Sequence, residues 1–270
     1  MRLSRSFLPL WLALAVIAAP AAAFAQIGVG VSITVAPPPL PVYVQPPLPG
    51  PGYLWTPGYW AYGPAGYYWV PGTWVLPPAV GLLWTPGYWG WVGGVYAWHA
   101  GYWGPHVGFY GGVNYGFGYI GVGFAGGFWN HGVFNYNRSV ANVGGVRVAV
   151  YNKTVVVNRV THVSFNGGPG GINARPTQEE EAAAREPHRG PTDLQAHHES
   201  AAGGNHALLA SENHGRPGVA ATSRAGEFSG HGVVAARNVV AKPQAPHPPP
   251  HPQGQPHPAQ GEHREGEEHR

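Results

Sequence analysis

The chain contains no cysteine, which excludes disulfides, thiolate catalysis and cysteine-ligated metal together. It also excludes the acylated cysteine that anchors a bacterial lipoprotein, so any attachment to a membrane is expected to be non-covalent. Charge is missing over a long stretch as well. From Gln26 to Asn137 there is no Lys, Arg, Asp or Glu, and all twelve carboxylates lie at or beyond Glu179. A globular domain ordinarily carries about a quarter charged residues. Residues 26–178 therefore cannot supply the paired carboxylates of a glycoside hydrolase. Nor can they supply the acid of a nucleophile triad or a carboxylate cage for calcium or magnesium. They offer almost nothing to neutralise phosphate, so no nucleic-acid partner is expected. No cofactor is implied, and the chain is expected not to be an enzyme.

Long apolar runs are also scarce. The stretch Phe7 to Ala19 is broken at Pro9 and followed by Pro20, too short and interrupted to span a bilayer. With Arg2 and Arg5 before it and Ala23-Phe24-Ala25 after it, it reads as a signal peptide over residues 1–25. Cleavage is expected between Ala25 and Gln26. The expected location is the periplasm or the outer-membrane surface, with no transmembrane helix in the mature chain. The ending Glu268-His269-Arg270 lacks an apolar terminal strand, so an outer-membrane barrel is not expected.

What the chain has instead is tryptophan, tyrosine, glycine and proline. After a Pro-rich segment (26–52), four units start 14 or 15 residues apart across residues 53–103. They read Tyr53-Leu54-Trp55-Thr56-Pro57-Gly58-Tyr59-Trp60 and Tyr67-Tyr68-Trp69-Val70-Pro71-Gly72-Thr73-Trp74. The second pair reads Leu82-Leu83-Trp84-Thr85-Pro86-Gly87-Tyr88-Trp89 and Tyr96-Ala97-Trp98-His99-Ala100-Gly101-Tyr102-Trp103. The shared core is W-x-P-G-x-W, with Ala100 in place of proline in the last unit.

These units resemble the YXWGXW, or WXXGXW, repeats of small exported proteins of Gram-negative bacteria. The resemblance extends from Ala36-Pro37-Pro38-Pro39-Leu40-Pro41-Val42-Tyr43 to Gly170-Gly171-Ile172-Asn173-Ala174-Arg175-Pro176-Thr177. It implies an exported protein and brings no activity or cofactor with it.

Aromatics at period two favour strands, and Pro-Gly favours a type II turn with glycine at positive φ. In one reading each Pro-Gly closes a hairpin, and its own two flanking Trp residues meet across the strands. In the other, slightly favoured because type II turns twist the wrong way for tight hairpins, each unit is one bent strand. The reversals then fall at Gly63-Pro64-Ala65-Gly66, Pro77 to Gly81 and Val92-Gly93-Gly94. Either way Pro57, Gly58, Pro71, Gly72, Pro86, Gly87 and Gly101 mark bends, and the fold is all-β, an antiparallel meander of short strands.

The contact or packing residues are Tyr53, Trp55, Trp60, Tyr67, Trp69, Trp74, Trp84, Trp89, Tyr96, Trp98 and Trp103. They serve either as a core or, for Trp55, Trp69, Trp84 and Trp98, as an exposed platform that stacks on envelope glycan such as peptidoglycan.

Residues 104–137 alternate glycine with aromatics and extend the sheet or form an aromatic loop; flat uncharged strands of this kind also invite self-association. Residues 138–165 are expected to form a β-hairpin from Val146-Arg147-Val148-Ala149-Val150-Tyr151 and Thr154 onward. Arg138, Arg147, Lys153 and Arg159 form its solvated face or contact anionic lipid or glycan.

Across 166–270 a glycine linker leads to a capping box, Thr177 with Glu180. That box opens a short helix over 177–186, which Pro187 ends. Beyond it the composition reads as a disordered His/Pro-rich tail. His247, His251, His257, His263 and His269 are weak metal candidates there, while His99, His106 and His131 read as surface or packing.

Overall fold

The computed structural model describes residues 32–156 and 162–237. The expected signal peptide with its Ala25–Gln26 junction, Arg159, and the histidines from His247 onward lie outside the described residues.

Strand β1 (Ser32–Ile33) precedes an extended Pro-rich run. Then β2 (Leu54–Thr56), β3 (Tyr59–Gly63), β4 (Gly66–Val70) and β5 (Gly72–Val75) build one long hairpin. A second is built by β6 (Leu83–Thr85), β7 (Tyr88–Val92), β8 (Val95–His99) and β9 (Tyr102–Gly104). In the first, Trp55 faces Trp74, Thr56 faces Thr73, Tyr59 faces Val70 and Trp60 faces Trp69. In the second, Trp84 faces Trp103, Thr85 faces Tyr102, Tyr88 faces His99 and Trp89 faces Trp98.

The register thus runs without a slip from one side of each Pro-Gly step to the other. Proline has no N–H to give the ladder, so the step interrupts pairing and bends both strands at the same level. Each unit is one bent strand. The chain reverses at Pro64-Ala65, with Gly66 at φ +97°, and at Gly93-Gly94. The glycines Gly93 and Gly94 have φ +57° and +93°, the doubly positive turn whose twist suits a two-residue hairpin.

The turn reading of Pro-Gly is therefore corrected. Gly58, Gly72, Gly87 and Gly101 are not at positive φ; what they need is room. A Cβ on Gly101 would lie 2.5 Å from Trp84 Cζ2, 2.7 Å from the Thr85 carbonyl and 2.8 Å from the Gly87 nitrogen. On Gly87 it would meet Trp98 Cζ2 at 2.5 Å, and on Gly72 Trp55 Cζ2 at 2.6 Å, while on Gly58 it would collide with Trp69 Cζ2. Each unit's first Trp covers its partner unit's glycine.

The expected pairing of the two Trp within one unit is corrected for the same reason. Trp55 meets Trp74 and Trp60 meets Trp69, with centroids 5.3 and 5.2 Å apart and near edge-to-face planes of 69° and 66°. Trp84–Trp103 and Trp89–Trp98 follow at 5.2 Å. Each such pair contributes roughly 0.5–1.5 kcal/mol beyond its burial.

A buried indole needs an acceptor for its N–H, and the Pro-rich run provides two. The Nε1–H of Trp60 donates to the Pro39 carbonyl (3.1 Å) and that of Trp74 to the Pro46 carbonyl (2.9 Å). A proline-rich strap suits this place because it offers carbonyls while leaving few backbone donors to satisfy.

The glycine/aromatic segment forms β10 (Asn114–Gly116) with β11 (Tyr119–Ile120), and β12 (Gly127–Asn130) with β13 (Val133–Asn137). It joins the core as separate small sheets. The Tyr119 hydroxyl reaches the Trp84 carbonyl (2.9 Å) and the Trp55 carbonyl (3.4 Å), tying the two hairpins together.

Two expectations fail further on. Residues 157–161 of the expected 146–165 hairpin lie outside the described residues, and the described part does not pair as a hairpin: β14 (Val150–Tyr151) pairs in parallel with β13, and β15 (Phe165–Asn166) in parallel with β7. Buried Asn137 holds the chain after β14: its Nδ2 donates to the Lys153 carbonyl (2.9 Å) and its Oδ1 accepts from the Lys153 N–H (3.0 Å).

The tail is also ordered well past Pro187. The capped helix α1 (Gln178–Ala183) is present with its Thr177–Glu180 box. A second box, Thr192 with Gln195, opens α2 (Asp193–Gly203). A 3-10 turn (His206–Leu208), α3 (Ala210–Asn213), β16 (Ala221–Thr222) and β17 (Val233–Val234) follow. β16 adds in parallel to β5, and Ala202, Leu208, Ala220 and Ala221 are fully buried. Composition hides this, because much of what the segment buries is small, as with Ala202, Ala220 and Ala221. Among the described residues no helix is long and apolar enough to cross a membrane.

Candidate functional site

The repeat tryptophans lie inside. Trp55, Trp60, Trp69, Trp74, Trp84, Trp89 and Trp103 are buried, and Trp98 is half-buried. A platform of Trp55, Trp69, Trp84 and Trp98 is therefore not presented: Trp69 donates to the Ala220 carbonyl (2.9 Å), and Trp98 stacks on Tyr59 at 5.0 Å. Of their aromatic companions, Tyr67 and Tyr96 are buried and Tyr53 is half-buried.

The bend residues Pro57, Gly58, Pro71, Gly72, Pro86, Gly87 and Gly101 are likewise buried. His99 stacks flat on Tyr88 (4.5 Å) and burial lowers its pKa, as packing predicts. His106 pairs with Glu186 at 2.8 Å on the surface, and His131 occupies the β12–β13 turn at φ +46°. Among the described residues no three His, Asp or Glu side chains gather where they could hold a metal ion.

With the repeats turned inward, a broad concavity lies elsewhere. A groove of about 970 Å³ runs between the link joining the two hairpins, the β12–β13 hairpin and the loop at 144–149. This volume is at the upper end of small-ligand sites, roughly 300–1,000 Å³.

Its walls can be traced to local causes. Leu76, Pro77 and Val80 come from the link after β5, where Pro77 and Pro78 keep the chain out of a sheet, and Leu76 and Val80 stay exposed. Trp129, Val133, Phe134 and Tyr136 come from β12 and β13. Trp129 is fixed by an edge contact with Phe134 (5.2 Å) and by donation to the Leu82 carbonyl (3.0 Å). Tyr136 donates to the Tyr53 carbonyl (2.9 Å), and burial pushes its pKa up to about 12 against a partly opposing backbone bond from Gly52. The hydroxyl stays neutral at any physiological pH. Val146 and Val148 close the far wall beside Gly144 and Gly145.

Arg138 and Arg147 are the charged members of the lining, and both are exposed. None of the ion pairs among the described residues involves either. Among the described residues no carboxylate lines the groove. Both arginines stood out in the sequence as basic neighbours; the apolar half of the groove did not. Its signal was faint: Leu76 and Val80 flank Pro77-Pro78 in a link where polar residues are the rule. Lys153, the third basic residue, is exposed but not part of the lining.

Residues 50–75 and 80–103 match the family model of the WXXGXW repeat, one copy each. The chain carries two WXXGXW repeats. Each copy coincides with one long hairpin, so a WXXGXW copy is a pair of the 14–15-residue units folded against each other. No curated protein and no solved structure matches the chain.

Proposed function

We propose that this WXXGXW-repeat protein is a non-catalytic, exported component of the cell envelope. In this reading the repeats are scaffold and contact is made through the groove beside them. The observation that carries the reading is the burial of seven of the eight repeat tryptophans, together with a groove that pairs apolar walls with two arginines that have no ion-pair partner among the described residues. The absence of Asp and Glu before Glu179 supports a non-catalytic role for the repeat hairpins. The signal-like residues 1–25 and the non-covalent attachment imposed by the missing cysteine support a periplasmic or outer-membrane-surface location.

Two measurements test the proposal. Mass spectrometry of the protein from fractionated cells should find an N-terminus at Gln26 in the periplasmic or membrane fraction. An unprocessed cytoplasmic chain would sink the export reading. In the second, Trp emission should be blue-shifted, resistant to acrylamide and unchanged by purified peptidoglycan, lipopolysaccharide or neutral glycans. Saturable quenching by a glycan, lost on Trp69→Ala in a folded variant, would restore the glycan-binding alternative.

A further inference from the structure

We propose that the groove holds a long-chain carboxylate, a free fatty acid, with its acyl chain along the Val133 wall and its head group on Arg138 and Arg147. This rests on the reading of the groove as the contact surface. The walls are the side chains of Leu76, Val80, Val133, Val146 and Val148 with Trp129. Leu76, Val80 and Val133 are 50%, 67% and 54% exposed, an open aliphatic surface of the kind a folded chain keeps for a partner.

Charge selects the head group. Arg138 and Arg147 line the groove, neither has an ion-pair partner among the described residues and no described acidic residue joins them, so the complementary group is an anion. A guanidinium takes a carboxylate through two parallel N–H···O bonds.

The other occupants fit less well. A glycan needs hydroxyl partners along its length, which aliphatic walls do not supply. A second copy packed symmetrically on the groove would bring four arginines into one interface with no acidic lining residue among those described.

The test is isothermal titration of the purified full chain with octanoate, decanoate and laurate, each below its micelle concentration, and with dodecanol. Binding should saturate at one ligand per chain and tighten about fourfold per added methylene. Dodecanol should bind at least about tenfold more weakly than laurate, because it lacks the charge that strengthens the head-group bonds.

Val133→Asp places a carboxylate on the acyl wall at an exposed strand position, so it should unfold at the same denaturant concentration yet lose laurate binding by at least about tenfold. The pair Arg138→Gln and Arg147→Gln should reduce laurate to the level of dodecanol. Absence of saturable binding would overturn the proposal, as would affinity independent of chain length or laurate binding untouched by Val133→Asp. So would a dimer in sedimentation that Val133→Asp dissociates. The titration uses protein in buffer, so its failure leaves the export result standing, and a failed fractionation leaves the titration standing.

Discussion

The sharpest consequence of the repeat geometry concerns Gly101. If this glycine were kept for a turn, its replacement by asparagine, which tolerates the left-handed region, would do less harm than alanine. If it is kept for space, asparagine should be no better than alanine and both should be severe. Gly101 is buried and not at positive φ, so alanine meets no backbone strain there.

Its Cβ would, however, sit 2.5 Å from Trp84 Cζ2, where carbon pairs prefer roughly 3.5–4.0 Å, and 2.7 and 2.8 Å from two backbone atoms of the facing strand. Trp84 has little freedom to retreat, because its ring packs on Trp103 at 5.2 Å and its carbonyl is held by Tyr119. Overpacking ordinarily costs about 1–3 kcal/mol, and contact with backbone on two sides places Gly101→Ala at or above the top of that range. Gly190→Ala is the control, with open space around the built Cβ and no positive φ; it should change stability by less than about 1 kcal/mol. Urea unfolding followed by Trp fluorescence measures all three variants. The spatial account fails if Gly101→Asn proves milder than Gly101→Ala, or if Gly101→Ala falls within 1 kcal/mol of the control.

Three further outcomes follow from named contacts. Trp74→Phe removes the N–H that the Pro46 carbonyl accepts and opens a small cavity; a loss of about 2–3 kcal/mol is expected, with faster amide exchange at Leu48 in the strap, whose N–H bonds to Asn142. Asn137→Ala forfeits the two bonds to Lys153 and that to the Ala125 carbonyl, so about 2–4 kcal/mol should go, and protease should then cut near 152–156.

The third is a pH effect at His198. Its Nδ1 accepts from Gly226 N–H (2.8 Å), so Nε2 carries the proton given to the Pro71 carbonyl (2.8 Å). Burial, the largest cause, lowers its pKa below the ordinary 6.5, against the Pro71 bond. Between the two values the unfolded chain binds more protons than the folded one, so stability rises with pH there. His198 stabilisation is complete above about pH 6.5 and is lost as pH falls through the folded value. His99, lowered by burial, acts in the same direction. Denaturation midpoints measured from pH 7.5 to 5 should fall, and His198→Gln should flatten part of the slope; a midpoint that rises on acidification would refute this.

Particular residues show how far the sequence could be read. The W-x-P-G-x-W spacing marks the short strands and the inter-unit turn residues mark the reversals at Pro64-Ala65 and Gly93-Gly94, while the Thr177–Glu180 capping box marks helix α1. It could not show which unit pairs with which: Trp55 has equal local claims on Trp60 and on Trp74, and only the facing glycine decides. Asn137 carries no mark as the anchor of the chain after β14, since its role depends on Lys153 sixteen residues away. The segment after Pro187 looked disordered because it docks through Ala202, Ala220 and Ala221, residues with little hydropathy of their own. The groove has no local sequence signature because its walls come from four separated segments, and only Arg138 and Arg147 stand out against an uncharged background.

The pairing of units explains why WXXGXW copies contain two of them. A lone unit has a bare glycine and a Trp with nothing to cover, and its proline breaks the ladder it needs. Two units remove all three faults together. The Trp of each fills the space over the other's glycine, as Trp55 does over Gly72 and Trp69 over Gly58. The two bends then fall at the same level, so neither strand loses register. The same geometry accounts for the missing charge. Thr56, Thr73 and Thr85 are the buried polar side chains of the two hairpins, and they are satisfied locally: Thr56 donates to the Thr73 carbonyl (2.9 Å), Thr222 to the Thr73 hydroxyl (3.1 Å), and Gly108 N–H to the Thr85 hydroxyl (2.9 Å). A lysine or glutamate in that layer would be a buried charge without a partner. The absence of charge at the buried positions of the two hairpins is therefore what a tryptophan-filled interior requires. The arginines reappear at Arg138, where the chain leaves that interior and borders the groove.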